Sequence, residues 1–105
     1  MAEQTPREDL HDILVSILGN NNVYFQPPES KKLEYDCIIY KRRSVRINHA
    51  DNRPYFYQQE YDITYITKNA DSEIPRQIGK LPKVSFDRAF TADNLYHEVF
   101  RLVYP

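Results

Sequence analysis

Glycine and cysteine are scarce in this chain of 105 residues, which has two glycines and one cysteine. Two glycines are too few for a Gly-rich phosphate-binding loop, and no Gly-x-Ser-x-Gly sequence marks a nucleophilic serine. The single cysteine, Cys37, excludes an intramolecular disulfide and is typical of a reducing compartment. It lies in the apolar run Cys37–Tyr40, so we expect a buried thiol rather than a reactive one.

The sequence also lacks any long apolar segment and the charged-then-apolar layout of a secretory signal. We therefore expect a soluble protein with no membrane partner. Hydrophobic residues make up 41% of the chain, which is enough for one modest core. With no repeat, linker or low-complexity tract, residues 1–105 are predicted to form a single domain.

Net charge is nearly absent, with 14 basic residues against 15 acidic ones. A dedicated nucleic-acid-binding protein is usually basic throughout or along one face. The charge is unevenly spread, however: residues 1–40 carry a net charge of −4, residues 41–57 carry +4 and residues 58–105 carry −1. This distribution suits head-to-tail association of copies, and ordinary surface scatter is the alternative explanation.

The start of the chain has a clear helix pattern. Thr5 is a suitable N-cap, Pro6 suits the first helical position and Glu8 completes a capping box. Apolar residues then recur at helical spacing as far as Leu18, and Gly19 supplies a C-terminal stop. One narrow apolar stripe predicts that this helix packs on a sheet or on a partner.

The rest of the chain predicts mainly strands. A short strand at 23–25 ends at two prolines, and the apolar centre of the next, 35–40, predicts cover on both sides. Turn residues at 48–54 predict a hairpin loop before a long alternating strand at 55–67. Three elements complete the pattern. The first is a short helix capped by Asp71 or Ser72 and carrying Ile74, Ile78 and Leu81. A strand at 84–90 follows, and then a last strand at 95–104 with Tyr96, Phe100, Leu102 and Tyr104 on one face.

The predicted fold class is therefore α+β, with a mostly antiparallel sheet. The N-terminal helix and the short second helix are expected to pack on one face of it. The segments flanking the loop at 48–54 should form a long, projecting β-hairpin.

The sequence offers no strong candidate for a metal-binding or catalytic site. The three histidines, His11, His49 and His97, show no metal-type spacing. Glu60 and Asp62 lie two residues apart on one strand face, where they could bind Mg²⁺ or act as an acid–base pair. A solvated strand face explains them more simply. We expect no catalytic residue, metal or cofactor, and hence no enzyme.

The predicted hairpin is the most distinctive surface. Basic residues interleaved with aromatic ones can hold single-stranded nucleic acid. Alternatively, charged side chains protect a strand edge from aggregation while tyrosines pack the sheet, or the hairpin reaches a neighbouring subunit. We favour the last two interpretations together. The residues concerned are Lys41, Arg42, Arg43, Arg46 and Arg53, followed by Tyr55, Phe56 and Tyr57.

Four segments together resemble the small tail terminator, or tail completion, proteins of long-tailed bacteriophages. They are YFQPPESKKLEYDCIIY, NHADNRPY, YDITYITKNADSEIP and SFDRAFTADNLYHEVFRLVY. In that family an N-terminal helix precedes a strand, a β-hairpin, a long strand, a short helix and two closing strands. The resemblance covers about residues 10–104.

The resemblance implies a virion structural protein at the junction of tail and neck, assembled in the host cytoplasm. Such a protein forms a ring, usually a hexamer, that caps the tail tube, ends tube polymerisation and offers a docking face to the head connector. Its partners are copies of itself, the tail tube protein, the connector or neck proteins and, in contractile phages, the sheath. DNA passes through the ring without sequence-specific binding.

On this interpretation the hairpin at 42–57 is the first candidate for a subunit or tube contact, because arginine and tyrosine are favoured interface anchors. The loop at 26–32 is the second candidate. Alternative functions are a head–tail joining protein of the neck or minor capsid, and a small nucleic-acid-binding module. The candidate contact residues are Lys41, Arg42, Arg43, Arg46, Arg53, Tyr55, Tyr57, Gln26, Pro27 and Pro28.

Overall fold

A computed structural model describes residues 5–50 and 53–104, except for the side chains of Pro6, 46–50 and 53–58. Five strands form one sheet in the order β1-β2-β3-β5-β4, in which β1 is parallel to β2 and every other pair is antiparallel. The predicted α+β class with a mostly antiparallel sheet is confirmed. The elements are α1 (Pro6–Leu18), β1 (Val23–Phe25), β2 (Cys37–Ala50), β3 (Arg53–Thr67), α2 (Ile74–Ile78), β4 (Val84–Ala92) and β5 (Leu95–Tyr104).

Helix α1 begins and ends where the sequence predicts. The Thr5 hydroxyl accepts a hydrogen bond from the Glu8 backbone N–H at 3.2 Å, which satisfies one of the free donors of the first turn. At the other end Gly19 adopts φ +84°, a left-handed conformation that glycine takes without steric cost. Its N–H donates to the Val15 carbonyl at 2.8 Å.

The main core lies between the two helices and one face of the sheet. The alternation predicted for β3 is confirmed, because Tyr61, Ile63 and Tyr65 all point into this core. Each fully buried apolar side chain contributes about 1.5–3 kcal/mol, so this layer is the main source of stability. The other buried members are Leu10, Leu14, Val23, Ile38, Tyr40, Ile78, Phe100 and Leu102.

A smaller cluster occupies the opposite face of the sheet. Cys37, Ile66 and Leu95 are buried there, with Tyr24 and Ile39 packed against them. Cys37 and Ile38 are adjacent yet both fully buried, so this part of β2 is covered on both faces, as predicted.

The hairpin strands extend further than predicted. Turn-type residues led us to expect a loop at 48–54, but β2 continues to Ala50 and β3 already begins at Arg53. Cross-strand pairing overrides the local turn preference there, because His49 pairs with Pro54 and Ala50 with Arg53.

The second helix and the last strand also differ in detail. The N-cap of α2 is Glu73, without a side-chain hydrogen bond. Ser72 acts one residue earlier, where its hydroxyl accepts from the Ile74 N–H at 3.3 Å. Leu81 lies past the end of α2, although it still packs against the core. In β5, Tyr96 is 42% exposed because it borders an open cleft rather than the helices.

A β-bulge in β2 changes which side chains face the helices. Arg43 is an extra residue between the pairs Arg42–Tyr61 and Ser44–Glu60. Even-numbered residues of β2 face the helices before this bulge, whereas Val45, which follows it, pairs with Gln59 and lies on that same face. Bulges also bend a strand and increase its twist, so this one alters the direction in which β2 continues.

The buried thiol of Cys37 should make the free energy of unfolding depend on pH in alkaline solution. Burial raises the pKa of its thiol from 9.0 to about 11, with a smaller contribution from the Asp36 carboxylate. Between these values the unfolded chain loses a proton that the folded chain keeps, so the free energy of unfolding should fall as the pH rises. Cys37→Ala should flatten this dependence between pH 9 and 10 in urea titrations. Val99→Ala, a cavity control on the same face, should lose stability but retain the slope.

Candidate interaction surface

Among the strands that the structure describes, no other lies beside the outer part of the β2–β3 hairpin. Strand β1 pairs with β2 only as far as Tyr40, and β5 pairs with β3 only as far as Gln59. Residues 46–50 and 53–58 therefore form a two-stranded ribbon, which we call the arm. Isolated two-stranded ribbons are marginally stable in water, so an arm of this kind gains most from a binding partner.

The arm gives the molecule an elongated shape. Five strand residues span about 17 Å at the usual rise per residue. The Cα radius of gyration is 15.1 Å, whereas a globular domain of this length averages about 13 Å. The longest principal dimension is 52 Å, against 33 and 27 Å for the other two. The arm therefore extends well beyond the core.

Four of the candidate contact residues belong to the arm. The backbone of Arg46 lies in β2, and those of Arg53, Tyr55 and Tyr57 lie in β3. Their side chains, and that of His49, lie outside the described residues. Their participation in a contact stays a prediction.

The base of the arm is basic and exposed. Lys41, Arg42 and Arg43 are all exposed, and Arg43 forms an ion pair with Asp62 at 3.5 Å. An ion pair of this exposure contributes little to stability, so Arg43 stays available for other contacts. Beside it, the Ser44 hydroxyl donates to the Glu60 carboxylate at 2.9 Å.

The structure brings the two groups of candidate contact residues together. The loop residues Gln26, Pro27 and Pro28 line one open cleft with Lys41 and Arg42. Its volume is about 580 Å³. The loop after β1 and the base of the arm thus form one continuous surface, a juxtaposition that sequence distance does not reveal.

Gln26 also has a structural role at this cleft. Its N–H donates to the Tyr40 carbonyl at 2.9 Å, and its side-chain oxygen accepts from the Arg42 N–H at 3.1 Å. The Gln26 side chain thereby accepts from an N–H at the edge of β2 that β1, which ends at Phe25, does not reach. Gln26 closes the edge of β2 up to Arg42 and leaves the rest of that edge open.

A polar cluster that the sequence did not indicate joins α1 to β2. The Tyr40 hydroxyl lies 2.8 Å from His11 Nδ1 and 3.3 Å from Arg7 Nη1. Arginine can only donate, so the tyrosine oxygen accepts from Arg7 and its own proton can serve His11. Arg7 also stacks over the Phe25 ring at 4.6 Å. The i, i+4 spacing of Arg7 and His11 was the available signal, but Tyr40 could not be inferred as their partner.

This cluster holds elements together rather than offering a reactive group. Burial raises the pKa of the Tyr40 hydroxyl, against the opposing effect of Arg7, so the phenol is neutral at ordinary pH. A neutral, hydrogen-bonded phenol is a poor nucleophile. Its hydrogen bonds fix the angle of α1 on the sheet.

A second surface overlooked in the sequence lies at the outer strand β4. Phe86 is 59% exposed and Phe90 is 41% exposed, which is unusual for phenylalanine. Phe90 stacks on His97 with ring centroids 4.7 Å apart, and Phe86 meets Phe100 edge-on at 5.6 Å. Strand periodicity alone could not show this, because exposure depends on which strand lies at the sheet edge.

The described residues include no group of three or more side chains able to hold a metal ion. Glu60 and Asp62, the candidate Mg²⁺ ligands, instead bind Ser44 and Arg43 across the strand pair. Among the described helices, none is long and apolar enough to cross a membrane.

Comparison with known proteins adds no identification. The chain matches no protein-family model and no curated protein sequence.

The Tyr40 cluster can be tested by stability measurements. Tyr40→Phe removes the hydroxyl that both His11 and Arg7 contact, so the free energy of unfolding should fall by about 1–2 kcal/mol. Tyr35→Phe is the matched control, because Tyr35 is 41% exposed and should change stability by less than about 0.5 kcal/mol. Urea titrations at pH 7 provide the comparison. Equal effects of the two substitutions would contradict the proposed role of the hydroxyl.

Proposed function

We propose that this chain is a structural subunit that associates with copies of itself through the arm, and that the resulting ring caps the tail tube of a long-tailed bacteriophage. The arm is the observation that carries the proposal. It is a ribbon with no other strand beside it, and its base carries three exposed basic side chains. Its sequence adds arginine and tyrosine, the residues that most often anchor interfaces.

Charge supports contact between unlike surfaces. Residues 41–57 carry a net charge of +4, and residues 1–40, which include α1, carry −4. Contacts between two different surfaces of the same chain are heterologous, and they close into rings when the rotation between copies permits. Steering between opposite charges also accelerates such association.

The tail terminator assignment itself comes from the sequence resemblance, and the element order is compatible with it. A ring of this kind would end polymerisation of the tube protein and present a docking face to the head connector, with the sheath as a further neighbour in contractile phages. DNA would pass through without sequence-specific contacts. The protein would act by binding rather than by catalysis, at the tail–neck junction of the virion.

A shortened arm tests the role of self-association. Arg46 and Gln58 are paired across the hairpin, so Asn-Gly in place of residues 47–57 should close it as a tight turn. None of the described core residues lies in the deleted segment, so the fold and its melting temperature should change little. The wild type should form a closed ring whose mass is a multiple of 12.5 kDa, and the shortened chain should be monomeric.

Light scattering and negative-stain microscopy provide the readouts. A mass of six subunits and capping of purified tail tubes would support the terminator. A ring that instead follows the symmetry of the head connector would identify a head–tail joining protein. Oligonucleotide binding that falls steeply with salt and is weakened by Arg42→Ala with Arg43→Ala would favour the nucleic-acid module. Unchanged assembly after shortening would contradict a role for the arm.

A further inference from the structure

In the part that the structure describes, two open edges lie on opposite sides of the sheet, in addition to the outer side of β3 in the arm. Strand β4 is outermost on one side and is paired only with β5. On the other side β1 is outermost, but it covers only Ile38–Tyr40, and Gln26 satisfies Arg42. From residue 43 onward β2 is therefore a second open edge. We call these the β4 edge (Val84–Ala92) and the β2 edge (residues 43–50).

The β4 edge exposes phenylalanine on both faces of the sheet. Asp87 is an extra residue in β4, between the pairs Phe86–Phe100 and Arg88–Val99. Because of this bulge, Phe86 lies on the face that carries the helices, while Phe90 lies on the opposite face with His97. A partner docked on one face could cover only one of them. A strand added at the edge, in the plane of the sheet, would place side chains over both.

The β2 edge has the complementary chemistry. Residues 43–50 include two arginines, Arg43 and Arg46, and no acidic residue, and Lys41 and Arg42 come directly before them. Strand β4 and its turn, residues 84–94, hold two acidic residues and one basic residue, a net charge of −1. The chain already places arginine over phenylalanine at Arg88 and Phe90, 5.8 Å apart, so its arginines suit the exposed rings.

The two edges also match in length and in apolar character. Residues 44–48 follow the β2 bulge without a further shift in pairing, and Arg88–Ala92 follow the β4 bulge in the same way. Five residues is a typical strand length. Val45, the second residue of this stretch of the β2 edge, is 38% exposed and offers an apolar side chain.

We propose that the β4 edge of one copy pairs with the β2 edge of the next, so that the sheet continues from subunit to subunit. This inference rests on the proposed self-association, and it identifies the β4 edge as the surface that the arm of the neighbouring copy contacts. The edges lie on opposite sides of one sheet, so the contact is heterologous and leaves one free edge of each kind at the ends of an open assembly. Closure of a ring removes both free edges.

Two blocked variants test the pairing. Val45→Asp with Arg46→Asp blocks the β2 edge, and Phe86→Lys with Phe90→Lys blocks the β4 edge. Each variant alone should be monomeric at 12.5 kDa, while an equimolar mixture should form a heterodimer of twice that mass and nothing larger. This complementation is specific to a heterologous contact. Tyr35→Lys, at a side chain exposed to a similar degree as Phe90, should assemble like the wild type.

The outcomes separate the two proposals. If Phe86→Lys with Phe90→Lys assembles like the wild type while the shortened arm does not, the arm remains the contact and the β4 edge is excluded as its receptor. If the wild type stays monomeric at millimolar concentration, both proposals fail. Unaltered circular dichroism spectra of all variants would confirm that each one folds.

Cross-linking gives an independent readout of the same contact. Cys37 is fully buried, so cysteines added at the surface are the ones that react. A copy carrying Val45→Cys, mixed with copies carrying Ala89→Cys or Thr91→Cys, should form a disulfide dimer with at least one of them, because paired strands bring Cα atoms within disulfide range. Ser30→Cys, in an exposed loop, is the control. Cross-linking no better than this control at both positions would overturn the pairing.

Discussion

The length of β3 relative to its neighbours is the constraint on which the rest of this structure depends. β3 has 15 residues and lies at the centre of the sheet, between β2 and β5. β5 pairs with it only from Gln59 to Thr67, and this inner part carries the tyrosines and isoleucine of the core. The outer part has only β2 beside it. A single strand thus runs from the well-packed body of the molecule into the arm, where the described partner beside it is β2.

Buried tyrosines tie the helices to this strand system. A tyrosine in a core contributes a large apolar ring but also a hydroxyl, which is costly to bury without a partner. Here each buried hydroxyl has one: Tyr40 meets α1 through His11, and Tyr65 bonds Ser72 at 2.8 Å just before α2. Among the described residues, no buried side-chain nitrogen or oxygen lacks a hydrogen-bond partner. The hydroxyls of Tyr40 and Tyr65 therefore connect the sheet to α1 and to the segment just before α2.

Much of this fold could be predicted from the sequence because its strongest signals are local. The caps of α1 and the alternation of β3 depend on residues close in the chain, and the structure confirms both. Features that depend on distant partners could not be found in this way. The strand ends near Ala50 depend on pairing across the hairpin, and the exposure of Phe86 depends on the place of β4 in the strand order. The cleft that joins Gln26 to Lys41 requires the whole crossover between β1 and β2.

The bulge at Arg43 has a geometric consequence for any assembly built through the arm. It lies where β2 leaves the cover of β1 and Gln26, so its extra twist sets the angle between the body and the arm. In a ring built through the arm, that angle would contribute to the rotation from one subunit to the next, and this rotation determines how many subunits complete the circle. The side chain of Arg43 also reaches Asp62 on β3, at 3.5 Å. A single inserted residue would then influence the number of subunits in the ring.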